Sequence, residues 1–276
     1  MQAVAIMYHD VVENGDFESS GFPGEGANVY KLRRQDFERH LEAIRAAVPE
    51  GTVTTLSPPQ HTSPVHTSPV HTSPQHTSAP EVFLTFDDGG VSFASPIASL
   101  LESRGWRGHF FITTDRIGQP GFLGAAQIRD LFQRGHVIGS HSHTHPTRMA
   151  ALRRAEMDDE WRRSLGILSG ILSVDVKLAS VPGGYYSRQV GESAAAAGIE
   201  ALFTSEPTME VGIGTGCLVI GRYVIQRGMG PEWSGGLAAR RRRFRWRQTA
   251  LWKAKRVAKV LGGSAYLRLR QSILEK

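Results

Sequence analysis

Residues 81–90 read EVFLTFDDGG, an apolar run that ends abruptly in two carboxylates and two glycines. The run is too short for a stable helix and has the length of a strand. Its apolar residues do not alternate with polar ones, which suits a strand covered on both faces, the usual situation in a parallel sheet. Neighbouring side chains on a strand point to opposite faces. Asp87 and Asp88 can share one cavity only where the strand gives way to a loop, and Gly89 and Gly90 permit that departure. Two adjacent carboxylates are chemically useful when one ligates a divalent ion and the other stays free to take a proton. The same four residues are also ordinary turn chemistry, so the pair alone leaves both readings open.

Six further runs have the same character: 3–9, 108–113, 136–140, 176–181, 200–205 and 217–225. Helical spacing lies between them. Phe37, Leu41, Ile44 and Val48 recur at threes and fours over 35–47, and Ile97, Leu100 and Leu101 cluster in 95–103. Residues 125–135, 149–172 and 187–199 supply three more candidates. Strand alternating with helix predicts an α/β protein with a mainly parallel sheet. Periodicity does not choose between a barrel and an open sheet.

The second informative stretch is HVIGSHSHTHP, residues 136–146, again a strand feeding a polar turn. His141 and His145 are four apart, so a helical turn would present both on one side. Two imidazoles and a carboxylate form a familiar hydrolytic metal shell with positions left for water and substrate. In α/β proteins ligands gather at the carboxyl ends of strands, where both stretches would lie. His143 would face elsewhere on the turn.

The whole chain sets wider bounds. With 276 residues, 40% of them hydrophobic, it can bury one large core or two smaller ones. The single cysteine, Cys217, excludes an intrachain disulfide framework and a cysteine-rich metal site. The opening MQAVAIMYHD lacks a basic leader, and no apolar stretch is long enough to span a bilayer. The expectation is a cytoplasmic protein, or one peripheral to the inner face of a membrane. Residues 60–78 repeat HTSPV-like pentapeptides, where regularly spaced proline predicts a flexible insertion. Net charge is +6, yet residues 240–276 alone carry thirteen Lys and Arg against one Glu. The remaining body is therefore acidic, which argues against a nucleic-acid-binding fold. The division is thus a main α/β domain at 1–235 and a basic, amphipathic helical extension at 236–276, whose cations suit an anionic membrane surface.

TFDDG at 85–89 and HSHTH at 141–145 are similar, in order, strand context and separation, to the first two motifs of the polysaccharide deacetylase family, the NodB homology domain. IMYHDV at 6–11 resembles the family's opening strand, and SVPGGYY at 180–186 stands where a third motif belongs. The resemblance implies an irregular (β/α)7 barrel and hydrolysis of an N- or O-acetyl group on a carbohydrate. It implies that Asp88, His141 and His145 hold a divalent metal, usually zinc, with cobalt or manganese as alternatives, and that Asp87 is the general base. Pro182, Gly183, Gly184 and Tyr185 would contact substrate or the developing oxyanion.

Two departures stand out. The family's third motif carries an arginine that orients the base, and Ser180 occupies that position here. The family's late histidine, which protonates the leaving group, has no counterpart, because no histidine follows His145. His9, at the end of the first strand, is the favoured substitute, ahead of His143, Glu206 or water. These departures leave two alternatives: a silent carbohydrate-binding or interaction protein on the same fold, and a hydrolase of non-sugar amides or esters.

Overall fold

The computed structural model describes residues 2–56, 81–213 and 215–254. The pentapeptide repeat at 60–78 and residues 255–276 of the basic extension lie outside the described residues. All seven apolar runs form strands. They are β1 (Val4–Tyr8), β2 (Val82–Phe86), β3 (His109–Ile112), β4 (Val137–Ser140), β5 (Leu178–Ser180) and β6 (Ala201–Phe203), with the seventh run divided into β7 (Leu218–Ile220) and β8 (Arg222–Val224). The five predicted helices are present as α1 (Arg34–Ala47), α2 (Ile97–Glu102), α3 (Ala125–Gln133), α4 (Arg154–Leu172) and α5 (Arg188–Ala196). A sixth, α6 (Pro231–Ala238), packs on α1.

Strands β1 to β6 pair in parallel with their sequence neighbours, and β7 pairs in parallel with β6. β8 then pairs in parallel with β1. One run of chain therefore lies against both ends of the sheet, with Gly221 at the change of partner. A Cβ at Gly221 would collide with the backbone oxygen of Glu206, so only glycine allows the run to pass there. The sheet curls into an irregular α/β barrel, and between β4 and β5 the ladder is reduced to the single pair Ser140–Ala179.

Every barrel strand is covered on both faces, which is why the runs read as continuously apolar. Residues of one parity (Val4, Ile6 and Tyr8; Leu84 and Phe86; Phe110 and Ile112) join the core beneath the helices. Those of the other parity (Ala5, Phe83, Phe111, Leu178, Ala201, Phe203 and Ile220) fill the barrel interior. Continuing that inward parity upward leads from Phe83 through Thr85 to Asp87 and from Ile220 to Arg222. The fold thus delivers polar groups to the carboxyl end of the barrel axis.

His109 lies among these interior aromatics, its ring 5.4 Å from those of Phe83 and Phe203. Its Nδ1 bonds the Leu84 carbonyl at 3.3 Å and its Nε2 accepts the Leu56 N–H at 2.9 Å, which fixes the neutral tautomer. Burial lowers its pKa to about 4. The folded state therefore binds this proton less readily than the unfolded chain. The associated stability is fully present above the unfolded value near pH 6.5 and is lost as pH falls toward 4. Between pH 7.5 and 5 this group alone should remove about 2 kcal/mol. Urea denaturation of His109→Gln should show a pH slope shallower than the parent's by that amount; parallel slopes would contradict the assignment.

Candidate active site

Asp87 ends the inward-facing row of β2 and is buried. Arg222, from β8, grips it bidentately: Nη1 donates to Oδ1 and Nη2 to Oδ2, each at 2.7 Å. The guanidinium also donates to the Thr204 carbonyl at 3.1 Å and to Thr85 Oγ1 at 3.3 Å, and it lies over the Phe111 and Phe203 rings at 5.6 and 6.0 Å. Burial opposes ionisation of Asp87. The Arg222 charge foremost, then His141, the Arg222 hydrogen bonds and His9, outweigh it and hold the carboxyl below the usual carboxylate range. The orienting arginine absent from position 180 is thus supplied by a different strand. Sequence reasoning missed Arg222, although an arginine inside the apolar run CLVIGRYVI must be paired if buried.

Ser180 occupies the vacated place with a different task. Its hydroxyl donates to Asp87 Oδ1 at 3.2 Å and lies 2.6 Å from His141 Nδ1, which is also 3.2 Å from the Ser180 carbonyl. Nδ1 therefore carries a proton, and Nε2 points away from Ser180 toward Asp88. Burial opposes the His141 charge, but the Asp87 charge and the hydrogen bond and charge of Asp88 raise its pKa, so a cation bound there would take the place of the Nε2 proton. Asp88 Oδ1 is 3.3 Å from His141 Nε2 and 3.5 Å from His145 Nε2. All three donor atoms lie within 4.8 Å of one another. In a tetrahedral shell with bonds of about 2.0–2.2 Å, neighbouring ligand atoms stand about 3.3–3.6 Å apart. The donor set and its spacing fit a divalent ion. Burial opposes the charge on Asp88, yet its hydrogen bond to His141 and the charges of His9, His145 and His141 hold it ionised well below the usual range. Burial lowers the pKa of His145, which favours the neutral, ligating imidazole.

Local backbone strain builds this cluster. Asp88 has φ 87°, a left-handed value rare outside glycine, and this turn brings it beside Asp87 rather than opposite. Gly90 is required because a Cβ there would collide with the buried Asp10 carboxylate, which accepts from Ser20 and Ser92 hydroxyls. The histidine turn is not helical, contrary to the expectation from the i,i+4 spacing. Ser142 and His145 are left-handed, and the two ligand rings meet at 5.0 Å between centroids. Glu160 of α4 fixes this turn, accepting the His143 and Thr144 N–H groups at 2.9 and 2.8 Å and the Thr144 hydroxyl at 2.7 Å. His143 faces away and meets Thr114 Oγ1 at 3.0 Å.

His9 is placed where its charge acts on both aspartates, and its Nδ1 is buried without a hydrogen-bond partner among the described residues. Its ring lies 4.7 Å from Tyr30, and the His145 ring lies 4.9 Å from Phe22. Neither aromatic was foreseen from sequence, because both come from a loop without periodicity. Pro182, Gly183 and Gly184 form a tight turn in which both glycines take left-handed φ values, 65° and 71°. A Cβ at Gly183 would stand 2.6 Å from the Thr147 carbonyl, and one at Gly184 2.5 Å from Ser205 Oγ. The glycines therefore accommodate the protein's own chain beside the histidine turn. Tyr185 lies under the Arg148 guanidinium at 5.5 Å.

Residues 74–202 match the sequence model of the polysaccharide deacetylase family. A chitin deacetylase of Arthroderma benhamiae is 31% identical over 64 residues, covering 23% of this chain and 17% of that relative, so only a small part of its length is compared. Among solved structures, the Streptococcus pyogenes deacetylase PplD, in complex with acetate, superposes with a TM-score of 0.62 at 20% identity over 84% of this chain and 96% of that one. A polysaccharide deacetylase from Bacillus cereus gives a TM-score of 0.65 at 16% identity over 86% of this chain and 69% of that one. The resemblance read from the two motifs thus has support in sequence over residues 74–202, which are similar to the polysaccharide deacetylase family, and the chain as a whole shares the fold of these NodB-type deacetylases. Arg222 lies beyond that segment.

Removing one partner of a buried ion pair strands the other. Arg222→Met should destabilise the protein by about 3–5 kcal/mol, and adding Asp87→Asn should recover a large part of that loss. Additive losses in the double variant, measured by chemical denaturation, would contradict the pairing. Glu160→Ala should raise the dissociation constant for zinc roughly 10–100-fold by freeing the histidine turn, as read by competition with a chromogenic chelator; unchanged affinity would contradict it.

Proposed function

We propose that this protein is a metal-dependent hydrolase that removes an N- or O-acetyl group from a carbohydrate. The observation that carries the reading is the convergence of Asp88, His141 and His145, with an ionised Asp87 beside them. A divalent ion bound by those three residues would lower the pKa of a water molecule and polarise the acetyl carbonyl. Zinc suits the one-oxygen, two-nitrogen donor set, with cobalt and manganese as functional substitutes.

The chain's own residues then divide the work. Asp87 takes the proton of the attacking water, and Arg222 keeps it both ionised and correctly aimed. His9, unpartnered at Nδ1, donates a proton to the leaving group. His143 is already engaged by Thr114, which leaves His9 as the better-placed imidazole. The backbone N–H groups of Gly183 and Gly184, in the turn that Pro182 begins, assist the developing oxyanion. Phe22 and Tyr30, half-buried beside His145 and His9, set aromatic rings next to the cluster where a sugar can pack. Recovery of the orienting arginine at position 222 removes one of the two reasons to consider a silent binding protein.

The test is acetate release from a panel of N- and O-acetylated sugars by metal-stripped protein refilled with zinc, cobalt or manganese. Turnover should return with metal and fall by roughly 10²–10⁴ in Asp87→Asn. His9→Gln should reduce amide cleavage more than ester cleavage, because an amine leaves poorly without a proton. A refilled protein that releases no acetate, or an Asp87→Asn variant as active as the parent, would contradict the proposal.

A further inference from the structure

Residues 242–254 form a helix that is docked on the barrel along one side. Phe244 is buried and meets the Trp233 ring at 5.3 Å. The Gln248 side chain accepts the Val224 N–H at 3.1 Å and donates to the Val224 carbonyl at 2.7 Å, as a neighbouring strand would. Thr249 donates to the Pro207 carbonyl at 3.2 Å. With about 3.6 residues per turn, these positions share one face, and Trp246, Ala250 and Ala254 lie opposite, with Leu251 toward one edge.

That opposite side is the unusual one. A helix packed on a globular domain ordinarily shows its polar side to water. Here Trp246 is 72% exposed and Leu251 57% exposed, and Ala250 and Ala254 are exposed with them. Arg243 and Arg247 fall on this same face between Trp246 and Leu251, Arg240, Arg241, Arg242 and Lys253 are exposed nearby in the chain, and no acidic residue occurs from 240 to 254. An exposed tryptophan and leucine interspersed with cations match the two layers of a membrane interface, acyl boundary and anionic headgroups. Among the described residues no helix is long and apolar enough to cross a membrane, so the fitting geometry lies in the interface plane.

We propose that the outward face of helix 242–254 docks on the surface of a bilayer containing anionic lipid, with Trp246 and Leu251 entering the headgroup region and the surrounding arginines and Lys253 meeting the phosphates. Nucleic acid fits less well, because a phosphate backbone offers nothing to the exposed Trp246 and Leu251. The proposal is independent of the deacetylase reading.

The full chain should co-sediment with vesicles of phosphatidylcholine mixed with phosphatidylglycerol and stay in solution with phosphatidylcholine alone. Among the described residues, Arg241, Arg242 and Lys253 make no side-chain hydrogen bond or ion pair, so replacing them by glutamine spares the docking face. That triple variant should bind anionic vesicles roughly 100-fold more weakly. Trp246→Ala should bind roughly tenfold more weakly. Both should keep the parent's thermal midpoint and its activity on soluble substrate. The proposal is overturned if the full chain ignores anionic vesicles at low salt, if the triple variant binds as well as the parent, or if duplex DNA competes the protein off the vesicles at equal phosphate concentration.

Discussion

The buried pair between Arg222 and Asp87 sets the terms for the rest of the structure. A guanidinium at the barrel axis is tolerable only with its donors satisfied, and both oxygens of Asp87, the Thr204 carbonyl and Thr85 satisfy them. The same contact ties β8, at one edge of the sheet, to the end of β2 across β1. Its electrostatic effect is chemical: it keeps a buried carboxylate ionised where burial alone would protonate it. The contact that holds β8 at the barrel axis is therefore the same one that keeps Asp87 ionised.

Around that pair the site is organised by division of labour between two adjacent aspartates. Asp87 faces the axis because strand parity places it there. Asp88 joins it only because the backbone turns left-handed, with Gly89 continuing the left-handed turn and Gly90 yielding room beside Asp10. Ser180 links the two halves, touching Asp87 on one side and His141 on the other. Its hydroxyl is small enough to leave the axis to the arginine of β8, which explains how a serine can stand where an arginine would otherwise crowd the same carboxylate.

Much of this was legible in the sequence. Buried parallel strands must be apolar on both faces, so all seven runs stood out, and the two polar exits from 81–86 and 136–140 marked the end of the sheet where the aspartates and histidines converge. What escaped depended on tertiary contact. The division of 217–225 at Gly221 follows from the close passage of Glu206, which no local pattern reports. α6 reads poorly as a helix because Gly235 and Gly236 lower its propensity; they are present because Gly235 abuts the Ala43 carbonyl and Gly236 lies beneath Phe244. The i,i+4 spacing of His141 and His145 suggested a helical turn, but Glu160 and the Ser142 hydroxyl hold an irregular loop that brings the rings together by another route.

The account rests on three donors from two distant stretches forming one metal site, with Asp87 outside the ligand set. Its most direct test is metal stoichiometry by elemental analysis on protein lacking residues 60–78, whose histidines would confuse the count. The account predicts one tightly held divalent ion per chain, lost in Asp88→Ala and in His145→Ala and retained in Asp87→Asn. A chain that holds no stoichiometric ion, or one that keeps it without Asp88, would contradict it.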